Sequence, residues 1–293
     1  LTQRRERLER LALRLRLLDP ALRLAAAPNT EPAPMLMPRF THAPLPEPMV
    51  LTGSFGEALT AAGYLVYAPD ARGSGRSAAG HYGDWGPDNW PGWVDDVGQL
   101  NRRIRADQPG LKLALIGHSM GSFATQQYLL DHSASVDAAV LLGSGEPAGI
   151  ADMLSAEGPT DLSVLNQGFE PRTGYEWLSR DAAEVDRYVA DPACGFLPQP
   201  FKGMDTLCRA ADPAAIAQVR KDLPLLILSG DADPVAGPGG AALQVVGQRY
   251  RDAGLQDVKL HLYPQARHEL LNETNRDEVT AELLAFLDRT VGR

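Results

Sequence analysis

The sequence predicts an α/β fold, a mostly parallel sheet with helices on both faces, and three observations carry that prediction. Apolar runs without polar alternation recur at residues 111–116, 137–142 and 223–229, as in strands buried on both faces. Segments with helical spacing separate them, the arrangement that parallel strands and crossover helices require. The first run passes through Gly117-His118-Ser119-Met120-Gly121 directly into residues 122–130, which have helical spacing, so one pentapeptide joins strand to helix.

Taken in order, the chain opens unlike its remainder. Leu8, Leu11, Leu15, Leu18 and Leu22 fall at alternating three- and four-residue steps among Arg4, Arg5, Arg7, Arg10, Arg14, Arg16 and Arg23. This basic amphipathic pattern admits weak contact with an anionic membrane surface. Pro20 breaks it, which favours an ordinary helix instead. Pro28, Pro32, Pro34, Pro38, Pro44, Pro46 and Pro48 make a linker-like stretch unfit for a central strand. The expected organisation is therefore an atypical segment over residues 1–48 and one catalytic domain over 49–293.

Within that domain, residues 57–62 read as a short helix ended by Gly63, and residues 64–68 as a strand. The loop Asp70-Ala71-Arg72-Gly73-Ser74-Gly75-Arg76-Ser77 follows. Residues 90–106 are largely helical, with Trp93, Val97, Leu100 and Ile104 on one face. Alternation of strand and helix stops between the strand at 137–142 and the strand at 223–229. The intervening segment, about 144–221, is rich in proline and aromatic residues and has the place of a cap over the strand ends. Asp181 and Glu184 resemble a capping pair for a helical piece at 182–189. Residues 258–263 alternate as a fourth strand, and Val279, Leu283, Leu284, Phe286 and Leu287 mark a C-terminal helix.

Bulk properties narrow the function. The 293 residues are 44% hydrophobic and 22% charged, an ordinary globular composition. A net charge of -9 with no basic surface in the body of the chain argues against nucleic acid as a partner. Cys194 and Cys208 have neither a disulfide framework nor metal-ligand spacing, and are expected to be reduced and partly buried. Arg14 and Arg16 interrupt the one leucine-rich segment, which makes it a poor signal peptide, and the expected location is cytoplasmic.

The chemistry is carried by Ser119. A turn that tight places its hydroxyl at a helix N-terminus, whose free N–H groups face any anion formed there. Gly117 and Gly121 are both expected to be glycine because side chains there would collide with strand and helix. A serine hydroxyl needs a base, and the base a carboxylate. In this fold class the chain order is Ser, acid, His, each on a loop after a strand. The strand at 223–229 runs into Gly230-Asp231-Ala232-Asp233-Pro234-Val235, so the acid is Asp231 or Asp233. The last strand runs into Tyr263-Pro264-Gln265-Ala266-Arg267-His268-Glu269, so the base is His268. His42, His81 and His132 are not at strand ends, His261 lies inside a strand, and His118 sits within the elbow itself.

The pentapeptide at 117–121, the loop at 70–77, Gly230–Val235 and Ala266-Arg267-His268-Glu269-Leu270 together resemble the monoacylglycerol lipase/lysophospholipase group of α/β-hydrolases, also described as serine aminopeptidase-like. The likeness runs from about Phe55 to the C-terminal helix. It implies that the acid is Asp233, the residue directly before Pro234-Val235. It also implies a helical cap and small lipid or carboxylic esters as substrates. The serine, base and acid by themselves lead to an acyl-enzyme released by water, with no metal or organic cofactor needed. The backbone N–H of Met120 is the expected oxyanion donor. One departure stands out. The family carries a strand ending in His-Gly, after which a second oxyanion donor follows, whereas this chain has Met49-Val50-Leu51-Thr52-Gly53-Ser54-Phe55. The opening strands usual in the family are not recognisable, so the N-terminal region reads as truncated and replaced. The second donor is expected near Ser54, if residues 50–52 form a short strand, and its loss would cost on the order of a hundred- to a thousand-fold in rate.

Overall fold

A computed structural model describes residues 54–155 and 162–292. The basic helical pattern over 1–27, the proline stretch, the boundary at 48–49 and the short strand expected at 50–52 lie outside the described residues. The chain divides into two units, Leu1–Pro69 and Asp70–Arg293.

In the first unit, helix α1 spans Ser54–Ala61. It ends as expected at Gly63, whose φ of 95° only glycine adopts without strain. The N–H groups of Gly63 and Tyr64 close the last turn on the carbonyls of Thr60 and Leu59, each at 3.0 Å. Residues 64–68, expected as a strand, are not one. An apolar run becomes a strand only where a neighbour completes its hydrogen-bond ladder, and no strand is found among the described residues of this unit.

The second unit is built on four parallel strands in the order β1-β2-β3-β4: Ala114–His118, Ala138–Leu142, Leu225–Gly230 and Val258–Tyr263. The register pairs His118 with Leu142, Leu142 with Leu228, and Gly230 with Tyr263, so the carboxyl ends of all four strands line up. Every residue of β2 and β3 is buried, whereas β1 and β4 are only partly covered. Uninterrupted apolar sequence in the two middle strands is what burial on both faces requires.

Helix α2, Asn89–Asp107, precedes β1, and helix α3, Met120–His132, follows it. Residues 122–130 of α3 are buried on every side, so its polar members need internal partners. Gln127 accepts from the Trp90 indole N–H at 2.7 Å and donates to Thr206 Oγ1 at 3.2 Å, which ties α3 to α2 and to the segment after β2.

Between β2 and β3 the alternation does stop. Helices α4, Pro147–Leu154, α5, Ala182–Ala190, and α6, Pro213–Ile216, alternate with 3-10 turns at Leu162–Asn166 and Met204–Ala211. The later part is core: Phe201, Met204, Leu207, Ala210, Ile216 and Val219 are all buried with the sheet and α3. The expected capping pair is half realised. Asp181 accepts from the Ala183 N–H at 3.1 Å, but the Glu184 carboxylate turns to Arg276 and Arg187 instead of reaching back. An arginine fork offers it a stronger, charge-assisted bond than a lone amide does.

Helix α7, Ala241–Asp252, joins β3 to β4, and α8, Arg276–Thr290, closes the chain with Val279, Leu283, Phe286 and Leu287 buried. No described helix is long and apolar enough to cross a membrane.

Candidate active site

The site begins with the strain at Ser119. Its φ of 51° and ψ of −122° lie outside the regions an L-residue prefers, at a cost of about 1–3 kcal/mol. The surroundings enforce it. The Ser119 N–H donates to the Leu142 carbonyl at the end of β2, at 3.0 Å, while its own carbonyl accepts from the N–H groups of Ser122 at 2.8 Å and Phe123 at 3.3 Å. The chain therefore turns from β1 into α3 within one residue. At Gly117 a Cβ would run into the Gly121 carbonyl and Thr125 Oγ1, so only glycine fits. Gly121 differs from expectation, since a Cβ there meets nothing within 4 Å. The close approach is one-sided: the backbone of Gly121 crowds position 117, and position 121 itself opens away from the strand. Met120 is the first residue of α3, where N–H groups have no partner one turn earlier.

The loops after β3 and β4 bring Asp233 and His268 together. Both are buried, and His268 Nδ1 lies 3.1 Å from each carboxylate oxygen of Asp233. Asp233 also accepts from Ser229 Oγ at 2.7 Å and from the Val235 N–H at 2.9 Å, so each oxygen has a second donor. Burial pushes this carboxyl up, but the His268 charge and those hydrogen bonds outweigh it and hold it below the usual range. Burial pushes His268 down, yet the Asp233 carboxylate beside it wins and leaves the imidazole above the usual histidine value. The far nitrogen, Nε2, is buried and has no hydrogen-bond partner among the described residues, the Ser119 hydroxyl included. Asp231, the other acid considered, turns away and accepts from the Gln265 N–H at 2.6 Å.

Ser119 and His268 nevertheless flank the same two residues. Ser119 is bonded to Leu142, and a Cβ on the next residue, Gly143, would lie 3.1 Å from His268 Cε1. Gly143 has φ of 50°, so glycine there both permits the turn and leaves room for the ring. A glycine after an apolar run gave no sequence signal of that role.

His118 stands beside His268, ring centroids 4.9 Å apart. His118 is exposed, with its Nε2 3.4 Å from the His268 carbonyl oxygen. Desolvation, then the charge of His268, moves its imidazole below the usual histidine value. Trp177, from the segment between β2 and β3, lies 4.9 Å from His268 on centroids. The same segment grips the histidine loop through its backbone: the His268 N–H donates to Trp177 O at 3.3 Å and the Glu269 N–H to Leu178 O at 2.8 Å.

Glu273 is the node that sequence reasoning missed. Its fully enclosed carboxylate accepts from the N–H groups of Arg180 at 3.1 Å, Arg267 at 2.9 Å and Thr274 at 2.9 Å, and from Arg180 Nε at 2.8 Å. One side chain thereby joins the insertion to the residue before His268. The signal available was only an acidic residue five positions after a histidine, with its arginine partner 93 positions away. The remaining histidines are elsewhere: His132 stacks on Tyr128, His261 bonds Glu282, His81 is exposed, and His42 lies outside the described residues. Ser54, near which the second oxyanion donor is expected, opens α1, and residues 50–52, on whose short strand that expectation depends, lie outside the described residues.

A parallel sheet, a strained serine where β1 meets a helix, and a buried Asp–His pair on the next strand-end loops define the α/β-hydrolase class. Comparison with known proteins narrows the class. The family model described as serine aminopeptidase, S33, matches residues 47–275. A monoacylglycerol lipase of Mycolicibacterium smegmatis is 31% identical over 239 residues, covering 78% of this chain and 80% of that protein. Mouse monoglyceride lipase is 31% identical over 198 residues, covering 66% of this chain and 62% of that protein. A thermostable carboxyl esterase from Bacillus coagulans, solved in complex with glycerol, superimposes with a TM-score of 0.69 at 26% identity, covering 80% of this chain and 84% of that one. The chain belongs to the serine aminopeptidase S33 family of α/β-hydrolases, with lipases and esterases among its relatives.

Proposed function

We propose that the protein is a serine hydrolase that cleaves carboxylic esters, with monoacylglycerols or lysophospholipid-like lipid esters as substrates. The observation that carries the reading is the buried Asp233–His268 pair, whose free Nε2 stands beside the strained turn holding Ser119. Lipase and esterase relatives support the substrate class.

In this mechanism Ser119 Oγ adds to the ester carbonyl as its proton passes to His268 Nε2. Asp233 holds the Nδ1–H tautomer and stabilises the imidazolium. The Met120 N–H donates to the oxyanion. Collapse breaks the bond to the alcohol, which leaves with the proton from His268. Water then adds to the acyl-enzyme as His268 takes its proton; collapse breaks the acyl bond to Ser119 Oγ, which recovers the proton from His268, and frees the carboxylic acid. The mechanism requires Ser119 Oγ to come within hydrogen-bond reach of Nε2, as apo catalytic bonds often tighten only with substrate bound.

A fluorophosphonate probe tests the nucleophile. Labelling at Ser119, lost in Ser119→Ala together with hydrolysis of a short p-nitrophenyl ester by a factor of about 10⁴ or more, is the expected result. Faster hydrolysis of monoacylglycerols than of short esters or aminoacyl amides supports the lipid assignment, and the reverse order redirects it.

A second reading has one observation behind it: the sequence before α1 reads Met49-Val50-Leu51-Thr52-Gly53 and lacks the His-Gly that the family resemblance leads one to expect. On that reading the fold binds its ligand and turns it over poorly. Labelling of Ser119 without steady hydrolysis selects it.

A further inference from the structure

Beneath the elbow runs a buried chain of polar side chains that the reaction as written does not use. Ser122, Ser144 and Gln126 are all closed to solvent. Ser122 Oγ lies 2.6 Å from the Ser119 carbonyl oxygen and 2.7 Å from Ser144 Oγ. Gln126 Nε2 lies 3.0 Å from Ser144 Oγ and 3.3 Å from the Gly145 carbonyl.

The two ends decide which way the protons point. A carbonyl only accepts, so Ser122 gives its single proton to Ser119 O. Ser144 must then donate to Ser122 Oγ. The Gln126 amide nitrogen only donates, and its second proton reaches Gly145 O. Every link has a donor and an acceptor, and the order is Gln126 to Ser144 to Ser122 to the Ser119 carbonyl.

That carbonyl belongs to the peptide joining Ser119 to Met120, and no described peptide is cis. In a trans peptide the N–H points opposite to the C=O, so holding the carbonyl aims the Met120 N–H. Strain at Ser119 gives this peptide a reason to turn away, and the Ser122 hydroxyl is the shortest of the three bonds opposing it.

We infer that Ser122, Ser144 and Gln126 are positioning residues that hold the Met120 N–H at the oxyanion, a role that rests on the proposed reading of Ser119 as nucleophile. The role is one felt in the transition state, because a donor a few tenths of an ångström or some degrees astray still admits substrate.

Ser122→Ala and Ser144→Ala test this on the full chain with a p-nitrophenyl ester. Losing a donor outright costs a hundred- to a thousand-fold, so misaiming one is expected to lower kcat about tenfold in Ser122→Ala, with a smaller loss in Ser144→Ala and KM unchanged in both. An alkylboronic acid, whose tetrahedral adduct on Ser119 mimics the oxyanion, is expected to bind each variant more weakly by the same factor as its fall in kcat. Ser144→Ala carries the prediction if Ser122→Ala does not fold. Wild-type kcat and boronate affinity in a folded variant overturn the network. So does a rate loss that merely follows the folded fraction, with boronate affinity per folded molecule unchanged. A wild-type chain that neither hydrolyses the ester nor takes up a fluorophosphonate at Ser119 overturns the nucleophile reading, and this inference with it.

Discussion

The Asp233 carboxylate raises the affinity of His268 for a proton, and that effect sets how activity is expected to depend on pH. His268 acts as a base only when neutral, and its raised value moves the loss of that form to higher pH than an ordinary histidine near 6.5 would show. We expect kcat/KM to fall as pH is lowered, with a midpoint above 6.5. A profile flat through that range removes His268 from the mechanism. Stability follows from the same two groups with the signs opposed. The His268 contribution is complete below its unfolded value near 6.5 and is lost as pH rises through its folded value. The Asp233 contribution is present above its unfolded value near 3.8 and is lost as pH falls through its lowered folded value. At the elbow, the two glycines separate two demands that look alike in the sequence. Gly117→Ala is expected to destabilise by about 2–4 kcal/mol, because backbone has to move, and Gly121→Ala to leave stability level or raise it by about 0.5–1 kcal/mol. Denaturation midpoints of the two variants check the contrast.

At the scale of elements, the histidine loop is held from outside its own strand. Backbone bonds from His268 and Glu269 to residues 177 and 178, and the enclosed Glu273 between Arg180 and Arg267, tie the insertion to the loop that carries His268. Glu273→Gln replaces an oxygen that meets only donors with an amide group that donates. We expect a loss of about 3 kcal/mol in stability, the scale of a broken buried charge-assisted network. At temperatures where the variant is folded, kcat should fall with it, since His268 loses its anchor. Measuring kcat against the folded fraction separates the two effects, and unchanged activity per folded molecule would show that the loop holds itself.

On the scale of the whole molecule, the sheet of the second unit is strongest at its centre. Ile227 in β3 is fully buried, whereas Leu260 in β4 is half covered. Ile227→Ala should cost about 2–5 kcal/mol and Leu260→Ala clearly less, read as denaturant midpoints. A common value for both would mean that β4 is covered by more than this chain's described residues.

How much of this was legible depends on how local each cause is. Four apolar or alternating runs located β1 to β4 to within a few residues, because burial on both faces leaves its mark in each strand separately. The strand expected at 64–68 failed for the complementary reason: its residues suit a ladder, but the ladder needs a neighbour that lies elsewhere in the chain. The strand-turn-helix signal at Ser119, and the places of an acid and a histidine after two later strands, could be read because each rests on a few consecutive residues.

By itself, then, the sequence determined the fold class, the middle strands and the short list of candidate side chains, since period, turn chemistry and chain order are written over distances of ten residues or fewer. The motif before Pro234-Val235 already pointed to Asp233 over Asp231, but only the tertiary structure decided why Gly117 and not Gly121 is sterically required, and which groups hold the elbow and histidine loop. Those outcomes depend on contacts such as Arg180 with Glu273, or Ser122 with Ser144, between residues far apart in the chain. Hydrogen bonds and van der Waals contacts act over a few ångströms of space, and no local pattern records which distant residue will occupy them.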